Sequence, residues 1–389
     1  MQPIPMQPLP MQKGPMRDFA LEVYFSKWEF AAKYNLTGSD GENMKLAELL
    51  ALASPADRTA FEDVGLGYTE TFGAPALREE IANTYDTVRA EHLLCFAGAE
   101  EAIYAAMQVL LNAGDHAIVI TPNYQAAETV PLRICEVSGV PLAIERNWEL
   151  DLELLRAALR PNTKLLSINF PNNPTGKIIP RATFDALIDI CRSRGIWLFS
   201  DEVYRLLERD PAQRLPQAVD VYERAVSLNV MSKAYGLPGL RIGWLACKDR
   251  ETLVRFERYK HYLSICNSAP SEVLARIALK ARETILDRNR KIVRDNLNLL
   301  NAFFADYPHL FDWREPDGGC VGFIRYKGEE GVEEFTRRLV EESGVLLIPS
   351  SIYRSALGPV PTDCLRVGFG RLHVPQGLAA LRRWLENRR

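Results

Sequence analysis

The chain has 389 residues, with 47 Lys and Arg against 50 Asp and Glu and a formal net charge of −3 at pH 7. That balance carries no basic stripe, which argues against nucleic acid as a partner, and no apolar run reaches the ~20 residues that span a bilayer. Seven cysteines stand singly with no CxxC pair, so neither a disulfide framework nor a zinc site is indicated; reduced thiols in a cytoplasmic protein are expected.

The first residues read MQPIP-MQPLP-MQKGP, three imperfect pentads without an apolar stretch of the kind a signal peptide needs. Proline every few residues opposes helix, and residues 1–16 are expected to form a mobile arm. Residues 17–45 are expected to pack on a smaller domain or over a cleft. Their aromatics Tyr24, Phe25, Trp28 and Phe30 are read as core or, as the less favoured alternative, as substrate-pocket residues. Helical spacing follows at 43–53 and at 76–90, the latter with Pro75 near its first turn. Apolar β-rich runs then occur at 116–122, 140–145, 163–171, 196–204, 225–231 and 240–247, and most are separated by helical stretches such as 181–195.

Strands alternating with helices predict an α/β fold with a mostly parallel sheet covered on both faces. The last two runs are too close for a crossover helix and are expected to pair antiparallel. A long helical stretch at 271–307 leads to runs at 321–326, 344–350 and 364–370. The expected division is a large domain over 46–275 and a smaller α+β domain over 276–389.

In open α/β sheets ligands bind beyond the carboxyl ends of the strands. After "EHLLCF", the residues Ala97, Gly98 and Ala99 enter a helix whose first amides would suit a phosphate, although a plain tight turn reads equally well. Tyr124 follows the 116–122 run and could stack on a flat ligand. "PNNPTG" (171–176) marks a turn in which the Asn173–Pro174 bond is a candidate for cis. Asp201 ends an almost wholly apolar strand, where a carboxylate is costly unless paired, and Tyr204 follows three residues on. In "MSKAYGLPGLRIGW" (231–244), Gly236, Pro238 and Gly239 punctuate the chain between Lys233 and Arg241. A lysine in a dry cleft can form a Schiff base with a carbonyl, and an arginine can fork onto a phosphate. A solvated Lys/Arg pair is the ordinary alternative, but it leaves the other strand ends unexplained. Together these groups call for a planar heteroaromatic aldehyde with a phosphate, a phenolic oxygen and a basic ring nitrogen, which is pyridoxal 5′-phosphate (PLP).

The ordered set "AGAEEAI", "PNY", "NFPNNPTG", "SDEVY", "SKAYGLPGLRIGW" and "LRVGFGR" resembles the class I/II aminotransferases of PLP fold type I, from about residue 65 to 371. The resemblance implies a large domain built on a mostly parallel seven-stranded sheet, with a smaller α+β domain. It implies that Lys233 carries the cofactor and later moves the proton, and that Asp201 pairs with the pyridine nitrogen. Tyr204 and Asn173 would bond the phenolic oxygen, and Tyr124 would stack on the ring. Gly98 and the amides of Ala99 and Glu100, with Ser232 and Arg241, would hold the phosphate. Tyr68 would reach the neighbouring subunit's phosphate in a homodimer, and Arg366, with Asn173 beside it, would grip the substrate α-carboxylate; Arg371 reads as structural. The implied reaction moves an amino group between an L-amino acid and a 2-oxo acid.

Two departures from the family's pattern stand out. Val230 occupies a position that is often a phosphate-binding serine, and "YNLTGSDGENM" only loosely matches the usual Gly-Asp/Glu-Pro stretch. No arginine lies between Arg258 and Arg276, which argues against an aspartate-type substrate. β- or γ-elimination, racemisation or a cyclising step on the same scaffold is the alternative chemistry. A PLP-sensing regulator is disfavoured, since fewer than ~45 residues precede the scaffold, too few for a binding module and linker. His92, His116, His261, His309 and His373 show no metal-ligand spacing and are expected at loop or surface positions.

Overall fold

The computed structural model describes residues 16–388. Of the expected N-terminal arm only Met16 falls within the described residues. The centre is a seven-stranded sheet: β1 (Leu93–Phe96), β2 (His116–Thr121), β3 (Glu136–Pro141), β4 (Thr163–Asn169), β5 (Trp197–Asp201), β6 (Ala225–Val230) and β7 (Gly243–Cys247), in spatial order β1-β7-β6-β5-β4-β2-β3. All neighbours pair parallel except β7, which runs antiparallel to both β1 and β6. Residues 231–242 are all that join β6 to β7, too few for a crossover helix. Every residue of β1, β2 and β7 is buried, the pattern of strands covered on both faces.

Three expected elements differ. The third strand is Glu136–Pro141 rather than 140–145, and Ile144–Arg146 is a short 3₁₀ turn. Pairing with β2, His116 to Glu136 through Thr121 to Pro141, sets that register. As an edge strand, β3 leaves most of its residues only partly covered, so it lacks the apolar run of a central strand. The helix expected over 76–90 ends at Ala82. Beyond it Tyr85 turns inward and accepts a hydrogen bond from the Trp244 indole at 2.9 Å. The stretch 271–307 is two helices, Ala269–Lys280 and Arg282–Ala305, broken at Ala281. His116 is a correction of another kind, since it is fully buried at the start of β2, between the Thr163 and Ser138 hydroxyls at 2.8 and 2.9 Å.

A second, antiparallel sheet is made by β8 (Phe311–Asp312), β9 (Val321–Tyr326), β10 (Ile348–Pro349) and β11 (Cys364–Gly368), in order β10-β11-β9-β8. Segment 17–45 ties the two sheets together. Its helix Ala20–Trp28 is pinned at one end by the Ala20 amide on Gln125 Oε1 (2.9 Å), while the Tyr24 hydroxyl bonds the Leu347 carbonyl (2.8 Å). Tyr34–Asn35 then pairs in parallel with Val345–Leu346. Tyr24 and Phe25 pack against the core, whereas Phe30 is 95% exposed. The Arg282–Ala305 helix spans the same junction. Buried Asn289 donates to the Ala234 carbonyl at 2.9 Å, and buried Asn296 donates to the carbonyls of Phe369 and Arg371 at 3.0 and 2.8 Å.

Candidate active site

The strand ends converge at a cleft lined by Ile103, Val119, Tyr124, Asn169, Phe199 and Asp201 among others. Asn169 and Asp201 end adjacent strands and are paired in register. Asn169 joins them to the next loop: its amide donates to the Asp201 carbonyl at 3.0 Å, and its Oδ1 accepts from the Asn173 backbone at 2.8 Å. The Asn173–Pro174 bond is cis, as expected, and so are Thr121–Pro122 and Phe170–Pro171. The turn is knit by Asn172 Oδ1, which accepts from the Thr175 hydroxyl at 2.8 Å. Gly176 closes it at φ +69°, where a Cβ would run into Pro316 and the Val321 carbonyl.

The Asp201 carboxylate accepts from the Val203 amide at 3.2 Å, and burial pushes its pKa up to about 6 against a small opposing pull from Lys233. Lys233 leaves β6 on the tight loop. Its Nζ lies 5.9 Å from the Tyr204 ring centroid and donates to Ser39 Oγ at 2.9 Å. Burial holds the amine below its ordinary pKa, with Asp40 the largest opposing charge. The Tyr204 hydroxyl is buried without a hydrogen-bond partner of good geometry, and burial raises its pKa well above 10. Ser39 approaches that phenol without completing an aligned bond.

At the far end, Gly98 turns at φ +94° immediately before the helix Ala99–Leu110. A Cβ there would strike the Arg241 guanidinium, which donates to the Ala97 carbonyl at 3.3 Å. First-turn amides have no partner within a helix, so those of Ala99 and Glu100 face this corner beside Arg241 and buried Ser232. The corner suits a phosphate, and the unpartnered Tyr204 phenol and the Asp201 carboxylate suit the phenolic oxygen and ring nitrogen of the same group. The residues therefore fit PLP. Val230 is 2% exposed within β6 and offers nothing to a phosphate.

Arg366 is 0% exposed, yet among the described residues it forms no ion pair. Its Nη1 donates to the Tyr353 hydroxyl (2.6 Å) and Asn173 Oδ1 (3.2 Å), its Nη2 to the Thr37 carbonyl (2.7 Å), and its Nε has no partner. An uncompensated buried charge costs several kcal/mol, so this guanidinium is set to take an anion. Arg371 instead pairs with both oxygens of Asp40, at 3.0 and 2.6 Å, in the structural role expected of it. Tyr68 stands apart, 91% exposed beside Leu66 at 85%.

Several residues were not legible as site residues in the sequence: Ser39, Tyr353 and Asn169. Glu100 was read only for its amide, but its carboxyl turns into the cleft against the Tyr124 phenol, and its Oε2 is buried without a partner. Burial pushes this carboxyl to about 7, with Glu22 and Asp201 adding like charge.

Behind Asp201, Glu202 faces the opposite side of the sheet, with Oε1 accepting from the Ala218 amide and the Ser227 hydroxyl, both at 2.8 Å. Burial raises its pKa to about 7, above the ~4.3 of an unfolded glutamate. Stability from this group is therefore full below about pH 4 and is lost as pH rises through about 7. Glu202→Gln is expected to match wild type at about pH 4 and to exceed it by on the order of 3 kcal/mol at about pH 8. Denaturant unfolding of both proteins at the two pH values checks this; a constant difference would contradict it.

Comparison with known proteins agrees with this chemistry. The family described as "Aminotransferase class I and II" matches residues 43–376. The arginine–pyruvate transaminase of Pseudomonas aeruginosa is 31% identical over 78% of this chain and 77% of its own length. The capreomycidine synthase of Streptomyces vinaceus is 28% identical over 93% of this chain and 92% of its own. A solved PLP-dependent aminotransferase from Streptococcus suis superimposes with a TM-score of 0.89 at 30% identity, covering 96% of this chain and 98% of that one. With its sheet, its strand-end lysine and this match over most of its length, the chain belongs to the class I and II aminotransferases and is a PLP-dependent enzyme of fold type I.

Proposed function

We propose that this aminotransferase takes its amino group from a basic amino acid such as arginine. The observation that carries the reading is the Glu100 carboxyl, with one oxygen buried and unpartnered, to which the exposed Glu22 of the docked N-terminal helix adds like charge. A cationic side chain relieves their mutual repulsion, whereas an acidic one adds to it. The activity named for the Pseudomonas aeruginosa relative points the same way.

PLP, when bound, supplies the electron sink for the α-carbon. Arg366, steadied by Tyr353 and Asn173, holds the donor carboxylate. The Lys233 amine, whose pKa burial lowers, removes the α-proton and returns it on the other side of the transfer. Asp201 holds the ring nitrogen's proton, Tyr204 and Asn173 the phenolic oxygen, Tyr124 the ring face, and Gly98, Ala99, Glu100, Ser232 and Arg241 the phosphate. Exposed Leu66, Tyr68, Tyr262 and Ile265 support a homodimer in which Tyr68 serves the partner's site. A cytoplasmic location and the division at about residues 45 and 275 belong to the same reading.

The test is to give the PLP-loaded protein single amino acids with no oxo acid and follow the visible cofactor band. Arginine is expected to convert it and aspartate not, and added pyruvate is expected to become alanine. Glu100→Gln is expected to lower kcat/KM for arginine about 10- to 100-fold, the effect of one charge-assisted hydrogen bond, and to change an uncharged donor far less. Equal losses for both donors would defeat the reading. Arginine consumed without amino transfer would favour the elimination or cyclising alternative.

A further inference from the structure

The segment that replaces the family's usual Gly-Asp/Glu-Pro stretch is held from several sides. The Thr37 carbonyl accepts from Arg366 at 2.7 Å, the Gly41 amide donates to the Lys233 carbonyl at 2.9 Å, and Asp40 is gripped by Arg371 through both oxygens. Gly368 and Gly370 run so close that a Cβ on either would strike the carbonyls of Gly38 and Asp40. A loop fixed by so many non-local contacts has little freedom, and these contacts converge on one side chain that bears no structural bond of its own to the loop. That side chain is Ser39, whose hydroxyl receives the Lys233 amine at 2.9 Å and lies beside the buried Tyr204 phenol.

A hydrogen bond from the amine to Ser39 Oγ uses one N–H and leaves the nitrogen lone pair free. The direction of the bond then sets the direction of the lone pair. A long lysine side chain carries ~2 kcal/mol of rotamer entropy, so a fixed acceptor at its tip removes much of the search. We propose that Ser39 is a positioning residue for Lys233: its hydroxyl accepts from the amine and orients the lone pair toward the carbon it attacks or deprotonates. This rests on Lys233 being the reactive lysine. It needs no other reactant, because the amine keeps its atoms and only the geometry of its attack is set. The titratable and charged groups acting on the amine are Asp40, Asp201, Glu29, Glu100, Cys320, Arg366 and Tyr204, and they are unchanged by substitution at Ser39.

The test uses the full-length protein freed of cofactor and measures the rate at which it captures added PLP, read as growth of the visible band over a range of pH. Ser39→Ala is expected to slow capture about three- to ten-fold, as loss of one net hydrogen bond does, and to displace the pH midpoint of the rate. Ser39→Thr keeps the hydroxyl and is expected to restore both. Capture by Ser39→Ala at the wild-type rate and midpoint would overturn the proposal. So would a Ser39→Thr variant as slow as Ser39→Ala, with both melting as wild type does, because the loop and not the hydroxyl would then matter. Lys233→Ala in the same assay separates the two readings. If it still captures PLP covalently, with the borohydride-fixed mass on another residue, the lysine assignment itself has failed.

Discussion

Replacing Lys233 with alanine is expected to abolish amino transfer. General acid–base work by a positioned side chain contributes ~10²–10⁴-fold, and this one amine both attacks the cofactor carbonyl and moves the α-proton. Among the described residues the fully buried lysine, Lys260, cannot substitute, since it is committed to the Thr71 carbonyl at 2.7 Å and Asn267 at 3.3 Å. The fold is expected to survive, since the Lys233 side chain makes a single hydrogen bond, to Ser39. A single-turnover measurement with arginine and PLP checks the outcome. Turnover within about tenfold of wild type would remove Lys233 from the mechanism.

Asp201→Asn is the second large effect. The carboxylate ends an apolar strand and has one backbone donor, Val203, with Lys233 as an opposing charge. Burial holds it near 6, so it is ionised at neutral pH and available to a protonated ring nitrogen. Truncating one partner of a buried charge pair costs ~2–5 kcal/mol, roughly 30-fold or more in affinity or rate. Dialysis of PLP against the cofactor-free protein is expected to show that loss. In wild type, affinity is expected to fall as pH drops through about 6, because protonation removes the charge that holds the ring nitrogen. The Asn variant is expected to lack that inflection. An unchanged profile in the variant would show that another group titrates.

Much of the site was legible because its signals are local. Asn-Pro-Thr-Gly specifies its own turn through the Asn172–Thr175 bonds and the positive φ of Gly176. An apolar run ending in Asp201, or in Ser232-Lys233, marks a strand end whatever lies beside it. Alternation of strands and helices gave the parallel sheet, and the short 231–242 link required the antiparallel β7. Where neighbours decide, the reading failed. The register of β3 depends on β2, the end of the helix at Ala82 on what Tyr85 can reach in β7, and the burial of His116 on two hydroxyls from adjacent strands.

The sequence by itself therefore determined the class of fold, the cofactor and the residues at the strand ends, since turn chemistry and apolar patterning act within a few residues. Only the tertiary structure brought Ser39 to Lys233 across 194 positions, Arg366 to Asn173 across 193, and the helix bearing Glu22 to Gln125 across a docking bond of 105. Those partners meet because the two sheets and the 17–45 segment are packed together, and no short-range preference in any one of them encodes the meeting.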